Sequence, residues 1–142
     1  MGQAVRHAGK KLDSPALTLI LVVVAAFLVR TFILDAAVVE GKSMLPHYRN
    51  GRVVLIFKAA YGIRGVGGKY LVCWKHPPRG DVVAAVRPNS KEIVIKRIGE
   101  IRGEGGASEY FLIGDNGIES IDSRDFGLVT LNAIIGKVVP QR

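Results

Sequence analysis

Ala16-Leu17-Thr18-Leu19-Ile20-Leu21-Val22-Val23-Val24-Ala25-Ala26-Phe27-Leu28-Val29 carries no charge, and this stretch divides the chain. Arg30 interrupts it, and Thr31-Phe32-Ile33-Leu34 carry it on to Asp35. At a helical rise of about 1.5 Å per residue, about 19 such residues cross the roughly 30 Å hydrocarbon core of a bilayer. Pro15 suits the first helical turn, where its missing N–H is no loss, and Ser14 suits the cap before it. Arg30 lies near one end, so its long side chain reaches the interface. Arg6, Lys10 and Lys11, against Asp13 alone, keep the N-terminus on the cytoplasmic side and send everything after Asp35 outside. The expected division is a basic cytoplasmic tail (1–14), a single-pass anchor in the cell membrane (15–34) and an extracytoplasmic domain (35–142). A cleaved signal peptide shares the basic start. Against it, the apolar run is longer than a usual signal core, and Arg30 and Phe32 stand where small residues should lead to a cut. A buried core helix is the third reading.

The run also accounts for an oily composition, 49% hydrophobic over 142 residues, with mean hydropathy +0.26. The net charge is +8, and residues before Asp35 supply only part of it. The outer domain is therefore basic too, which suits a solvated surface beside anionic headgroups of the lipid bilayer. No basic run is interleaved with aromatics, so nucleic acid is a poor partner. Cys73 is the single cysteine, which excludes an internal disulfide. Within Tyr70-Leu71-Val72-Cys73-Trp74 its expected role is packing. His7, His47 and His76 are scattered, so no metal site and no cofactor are expected. Oligomeric state leaves no mark on the sequence.

Beyond Asp35 short β-type runs alternate with glycine-rich turns. The expected strands are Ala36–Glu40, Arg52–Lys58, Lys69–Lys75, Asp81–Val86, Glu92–Ile98, Glu109–Ile113 and Ala133–Val139. No segment here has a helical period. The fold class is mostly β: an N-terminal transmembrane helix followed by one compact, barrel-like sheet domain. Arg79-Gly80-Asp81 has the form of an adhesion triplet, but reads more simply as a turn entering the strand Asp81–Val86.

Three islands carry chemistry. Gly41-Lys42-Ser43-Met44-Leu45-Pro46 sets a serine in a turn just past the apolar run. In Ile93-Val94-Ile95-Lys96-Arg97-Ile98, alternation puts Val94, Lys96 and Ile98 on one face. A lysine between two β-branched neighbours is either placed for desolvation or is an edge residue reaching water. Gly114-Asp115-Asn116-Gly117-Ile118-Glu119-Ser120-Ile121-Asp122-Ser123-Arg124 is a dense run of side-chain hydrogen-bonders.

In this order the islands resemble the type I signal peptidase family. Ser43-Met44-x-Pro46 resembles its nucleophile box and Lys96-Arg97-Ile98-Gly99 its general-base box. Gly114-Asp115-Asn116, followed by Ser120-x-Asp122-Ser123-Arg124-x-x-Gly127, resembles its last box with the spacing intact. Gly80-Asp81-Val82-Val83 and Arg30-Thr31-Phe32 match further parts, so the likeness runs from about Leu19 to Gly136. It implies a serine endopeptidase that removes signal peptides from exported preproteins. In that chemistry Ser43 attacks and neutral Lys96 takes its proton. A lysine does this only if its ordinary pKa of about 10.4 falls by roughly 2–3, a matter of about 3–4 kcal/mol. The resemblance further implies that Ser120 orients the lysine, that Asp122 and Arg124 form a supporting ion pair, and that the Ser43 N–H meets the oxyanion. Small substrate residues one and three positions before the cut would meet a wall of Met44, Val94 and Ile95.

The chain departs from the pattern at Gly41, where some members carry a second oxyanion donor, at His47-Tyr48 after the proline, and at Glu119. The short span from Arg97 to Leu112 marks a minimal catalytic core. His47 raises a Ser–His alternative, which needs a carboxylate to hold the imidazole. Self-cleaving repressor-type proteases share the first two islands but have a DNA-binding domain and lack the third. A pilus or conjugation maturation peptidase of the same family, and an inactive membrane-tethered module, are the other readings.

Overall fold

The computed structural model describes residues 15–65 and 67–139. Ser14, the expected cap, and the basic tail lie outside the described residues. Helix α1 (Pro15–Phe32) has a mean hydropathy of 2.2 with none of it buried, which sets aside the core-helix reading. By length and composition it is able to cross a membrane.

The helix stops short of Leu34. The Ile33 N–H still donates to the Val29 carbonyl (2.8 Å), but the Ile33 carbonyl accepts from the Lys58 N–H (2.8 Å). That bond diverts the chain into strand β1 (Leu34–Val38), where Leu34 pairs with Phe57. Charge holds the junction. Asp35 lies 3.3 Å from Lys58 Nζ and 3.9 Å from Arg30.

Strands β2 (Val53–Phe57), β3 (Gly62–Arg64), β4 (Tyr70–Cys73), β5 (Val82–Val86), β6 (Ile93–Arg102) and β7 (Glu109–Ile113) follow. After the short helix α2 (Ser123–Phe126) come β8 (Val129–Thr130) and β9 (Ile134–Val139). Seven strands form one antiparallel sheet in the order β1-β2-β9-β5-β6-β7-β8, curled as a half-barrel, while β3 and β4 form a separate hairpin. The mostly β expectation holds. β6 runs on to Arg102 because β7 pairs with it from Arg97 onward. The elements that sequence reading missed, β3, β8 and α2, are too short to show a period.

Strand β5 explains the core. Val83 and Ala85 belong to a buried cluster with Ile98, Tyr110, Leu112 and Ile134. Val82 and Ala84, the alternate residues, belong to another with Met44, Tyr48, Val54, Ile56 and Val138. Successive strand side chains point to opposite faces, so the sheet carries one cluster on each side. Arg79-Gly80 forms the turn into β5, with Gly80 at φ 90°. Asp81 is turned inward, accepting from the Tyr61 hydroxyl (2.9 Å) and Lys137 Nζ (2.7 Å), which leaves no free triplet for adhesion. Cys73 corrects the packing expectation. It is exposed, because among the described residues β4 pairs only with β3, in a hairpin where Leu71, Val72 and Trp74 are exposed as well.

Gly136 on β9 is a point of close approach. A Cβ there would stand 2.6 Å from the Phe57 carbonyl oxygen and 2.8 Å from Lys58 Cα, both backbone atoms. Gly136→Ala should destabilise the domain by roughly 1–3 kcal/mol through overpacking. Urea unfolding of the full chain in detergent, compared with wild type, measures the loss.

Candidate active site

Ser43 sits in a tight loop between β1 and β2. The neck of the loop is closed by Val39 N–H to the Arg52 carbonyl and Gly51 N–H to the Val39 carbonyl, each 2.8 Å. Gly41, at φ 82°, donates its N–H to Asn50 Oδ1 (2.8 Å). The Tyr48 N–H reaches the Met44 carbonyl (2.9 Å), and both side chains are buried in the cluster above. Burial of Met44 therefore holds Ser43 at the rim. Among the described residues the Ser43 N–H has no acceptor, so it is available to a ligand.

Lys96 comes from β6, opposite Val83 of β5, and is only 4% exposed. Its Nζ stands 2.7 Å from Ser43 Oγ. No carboxylate lies within ion-pair distance of it among the described residues. Burial pushes the Lys96 pKa below its ordinary value and outweighs the more distant Asp122, Glu92 and Asp115. An amine desolvated without a counter-charge favours its neutral form. The edge-lysine reading fails on this burial.

Asp122, fully buried, is the hub of the third island. It accepts from the Ser120 hydroxyl (2.9 Å), the Gly114 N–H (3.0 Å), the Arg124 N–H (3.1 Å), and Arg124 Nε and a terminal nitrogen (2.9 and 2.8 Å). It also caps α2, and Asp125 returns the bond by accepting from the Asp122 N–H (2.9 Å). The one Ser120 hydrogen thus goes to Asp122, where the resemblance implied a contact with Lys96. The Asn116 N–H donates to the Ser43 carbonyl (2.9 Å) and its side chain to the Lys42 carbonyl (3.2 Å), tying this loop to the serine loop. Gly114 is at the crossing. A Cβ there would collide with Ser120 Oγ and the Ser43 carbonyl.

A groove of about 560 Å³ passes the pair. Asp35–Met44 line one side and Glu92–Lys96 the other, with Ile56 and Ile135 at its floor. Met44, Val94 and Ile95 all line it; Ile56 and Ile135 were not anticipated. Among the described residues both sides are open strand edges. β1 ends the sheet, and β6 is unpaired on its β7 side before Arg97.

Sequence reading assigned no role to Asp115 or Arg97 individually. Asp115 accepts two bonds of 2.7 Å from the Arg97 guanidinium and lies 2.9 Å from His47 Nδ1. So the imidazole does have its carboxylate. His47, however, lines a different cavity of about 360 Å³, which includes neither Ser43 nor Lys96. The donor to Ser43 Oγ is the lysine.

Comparisons with known proteins agree with the sequence resemblance. A family model described as signal peptidase, peptidase S26, matches residues 13–105 and 106–141. The signal peptidase I of Bacillus caldolyticus is 28% identical over 146 residues, covering 77% of this chain and 79% of that protein. The signal peptidase I of Buchnera aphidicola subsp. Baizongia pistaciae is 32% identical over 85 residues, 58% of this chain but 27% of that one. Its counterpart from subsp. Acyrthosiphon pisum is 36% identical over 76 residues, 52% and 24% respectively.

Burial alone would raise the Asp122 pKa, but the Arg124 guanidinium, the Gly114 and Arg124 N–H groups and the Ser120 hydroxyl together hold it well below the usual carboxylate range. A depressed carboxylate stabilises the fold fully above its unfolded pKa of about 3.9, and that contribution drains away as pH falls toward the folded value. Wild-type stability should therefore decline below about pH 5. Asp122→Ala should lose about 3 kcal/mol at pH 7, because it orphans buried donors, and should flatten the acid limb. Unfolding midpoints between pH 7 and pH 3 test both statements.

Proposed function

The chain belongs to the signal peptidase family, peptidase S26, and we propose that it is a membrane-anchored endopeptidase that removes signal peptides from exported preproteins with a Ser43–Lys96 dyad. The observation that carries this reading is a lysine buried with no counter-ion among the described residues and within 2.7 Å of a serine hydroxyl. A hydroxyl needs a base before it can attack, and a neutral amine is one. An inactive tethered module would bury that amine to no purpose.

In the proposed cycle Lys96 takes the Ser43 proton as Oγ attacks the scissile carbonyl. The developing oxyanion meets the free Ser43 N–H, and Gly41, whose own N–H is held by Asn50, offers no second donor. Collapse expels the amine of the mature chain, which receives the proton from Lys96. Water, activated by the same amine, then hydrolyses the acyl-enzyme. Ser120 gives its hydrogen to Asp122, so its oxygen lone pairs remain for Lys96, and the Asp122–Arg124 pair fixes that hydroxyl.

The open edges of β1 and β6 support an extended substrate hydrogen-bonded along the groove. Alternate substrate side chains then share one wall, with Met44, Val94 and Ile95 limiting the residues one and three before the cut to small ones. Residues 15–34 are the proposed anchor, with the tail 1–14 cytoplasmic and the domain 35–142 outside. This puts the groove beside the outer membrane face, where a signal peptide emerges.

With a preprotein as substrate, Ser43→Ala, Lys96→Ala and Lys96→Arg should each abolish cleavage, since guanidinium stays protonated. The double alanine variant should be no worse than either single one. Near-wild-type turnover by Lys96→Ala sinks the dyad. The wild-type rate should climb with pH through a midpoint below the ordinary lysine value, as Lys96 burial requires; a rise confined to about pH 10 or above contradicts it. Substrates with Ala, Leu or Phe before the cut test the wall: Ala alone should be cleaved well, and equal cleavage refutes it.

A further inference from the structure

We infer that His47 is a positioning residue for this reaction, holding the loop that carries Ser43 in register with the strand that carries Lys96. The inference rests on the peptidase reading above and adds to it a residue outside the groove.

The problem it answers is one of distance along the chain. Ser43 and Lys96 are 53 positions apart, yet their side chains must stay 2.7 Å apart. The serine loop is packed from below through Met44 and Tyr48, which fixes its depth. Packing of apolar groups is non-directional, so sliding along the rim has to be restrained by polar ties. The Asn116 bonds to the Ser43 and Lys42 carbonyls and the Lys42–Glu119 pair at 3.9 Å run to the third island. His47 adds a side-chain tie to the same island at Asp115, the residue that is itself bound to β6. Its Nδ1 lies 2.9 Å from Asp115 Oδ2, and Asp115 is bound through both oxygens to Arg97, the next residue after Lys96. Arg97 is also anchored, donating to the Gly80 carbonyl at 2.8 Å.

The contact is an ion pair by distance, between an imidazole nitrogen and a carboxylate that is already fixed by Arg97. Asp115 is nearly buried while the ring is 62% exposed, so the rigid end of the tie is the β6 end. His47 touches neither Ser43 Oγ nor the groove, and it acts through position alone.

Full-length protein in detergent, assayed on a peptide with alanine one and three residues before the cut, tests this. In His47→Ala, kcat should fall roughly tenfold as the restraint on the serine loop is lost, with KM changed less than about twofold. The loss is partial because the Asn116 ties remain. His47→Asn, whose amide nitrogen takes the place of Nδ1, should recover most of kcat. Circular dichroism at the assay temperature confirms that each variant is folded. A His47→Ala variant with a lower melting temperature but wild-type kcat makes the residue merely structural and overturns the inference. Equal kcat losses in His47→Ala and His47→Asn overturn it as well. Ser43→Ala is the control for the underlying reading: if it cleaves like wild type, the dyad fails and the positioning role with it. If Ser43→Ala is dead and His47→Ala is unaffected, only the positioning role fails. A His47→Ala variant as dead as Ser43→Ala makes the imidazole itself the base, against both.

Discussion

An ammonium group taken out of water without a counter-charge costs several kcal/mol, and a protein that buries one must let it lose its proton or supply a partner. Lys96 is given a serine hydroxyl at 2.7 Å and, among the described residues, no carboxylate within ion-pair distance. The surrounding architecture keeps to that condition. β5 and β6 pair so that Val83 lies opposite the lysine, and the strand around it packs on both faces of the sheet. Asp122, the first of the more distant carboxylates acting on Lys96, has its two oxygens occupied by five donor contacts. A carboxylate so engaged is an electrostatic neighbour of the lysine without being its ion-pair partner.

That arrangement leaves little slack. Among the described residues every buried side-chain nitrogen and oxygen has a hydrogen-bond partner. A fully satisfied polar network rigidifies what it connects. Here it connects the serine loop, β6, and the loop from Gly114 to Arg124. Glycine at 114 lets the three approach, since any side chain would occupy the space of Ser120 and the Ser43 carbonyl.

The sheet was legible where strands were long enough to alternate. Ile93–Ile98 showed by period alone which face held the lysine, and Val82–Val86 read as a strand although buried on both sides. Features whose cause is distant were not legible. α2 has four residues, too few for a helical period, and exists because Asp122 and Asp125 cap it reciprocally. The apolar run gives no hint that the helix ends at Phe32, because the bond that ends it comes from Lys58. Cys73 looked like packing because its neighbours are apolar, yet the hairpin they form stands apart from the main sheet. Asp115, Arg97 and His47 lie in separate parts of the sequence, and only the curl of the sheet brings them together. The likeness to a family singled out Ser43, Lys96 and Ser120, whereas His47 stood out only as an alternative base near Ser43, and nothing local marked its pairing with Asp115.

Ile33 is the single residue between α1 and β1, and its two backbone bonds face opposite ways, one into the helix and one into the sheet. Asp35 then grips Lys58 across the same joint. A flexible linker would let the domain wander relative to the helix like a float on a line. This joint makes the connection a bracket. The turn from helix into β1 is held by these bonds, and β1 is itself one wall of the groove. With α1 as the proposed anchor, any tilt that a bilayer imposes on the helix is handed to that wall, so membrane thickness would enter the geometry of the groove as a mechanical variable.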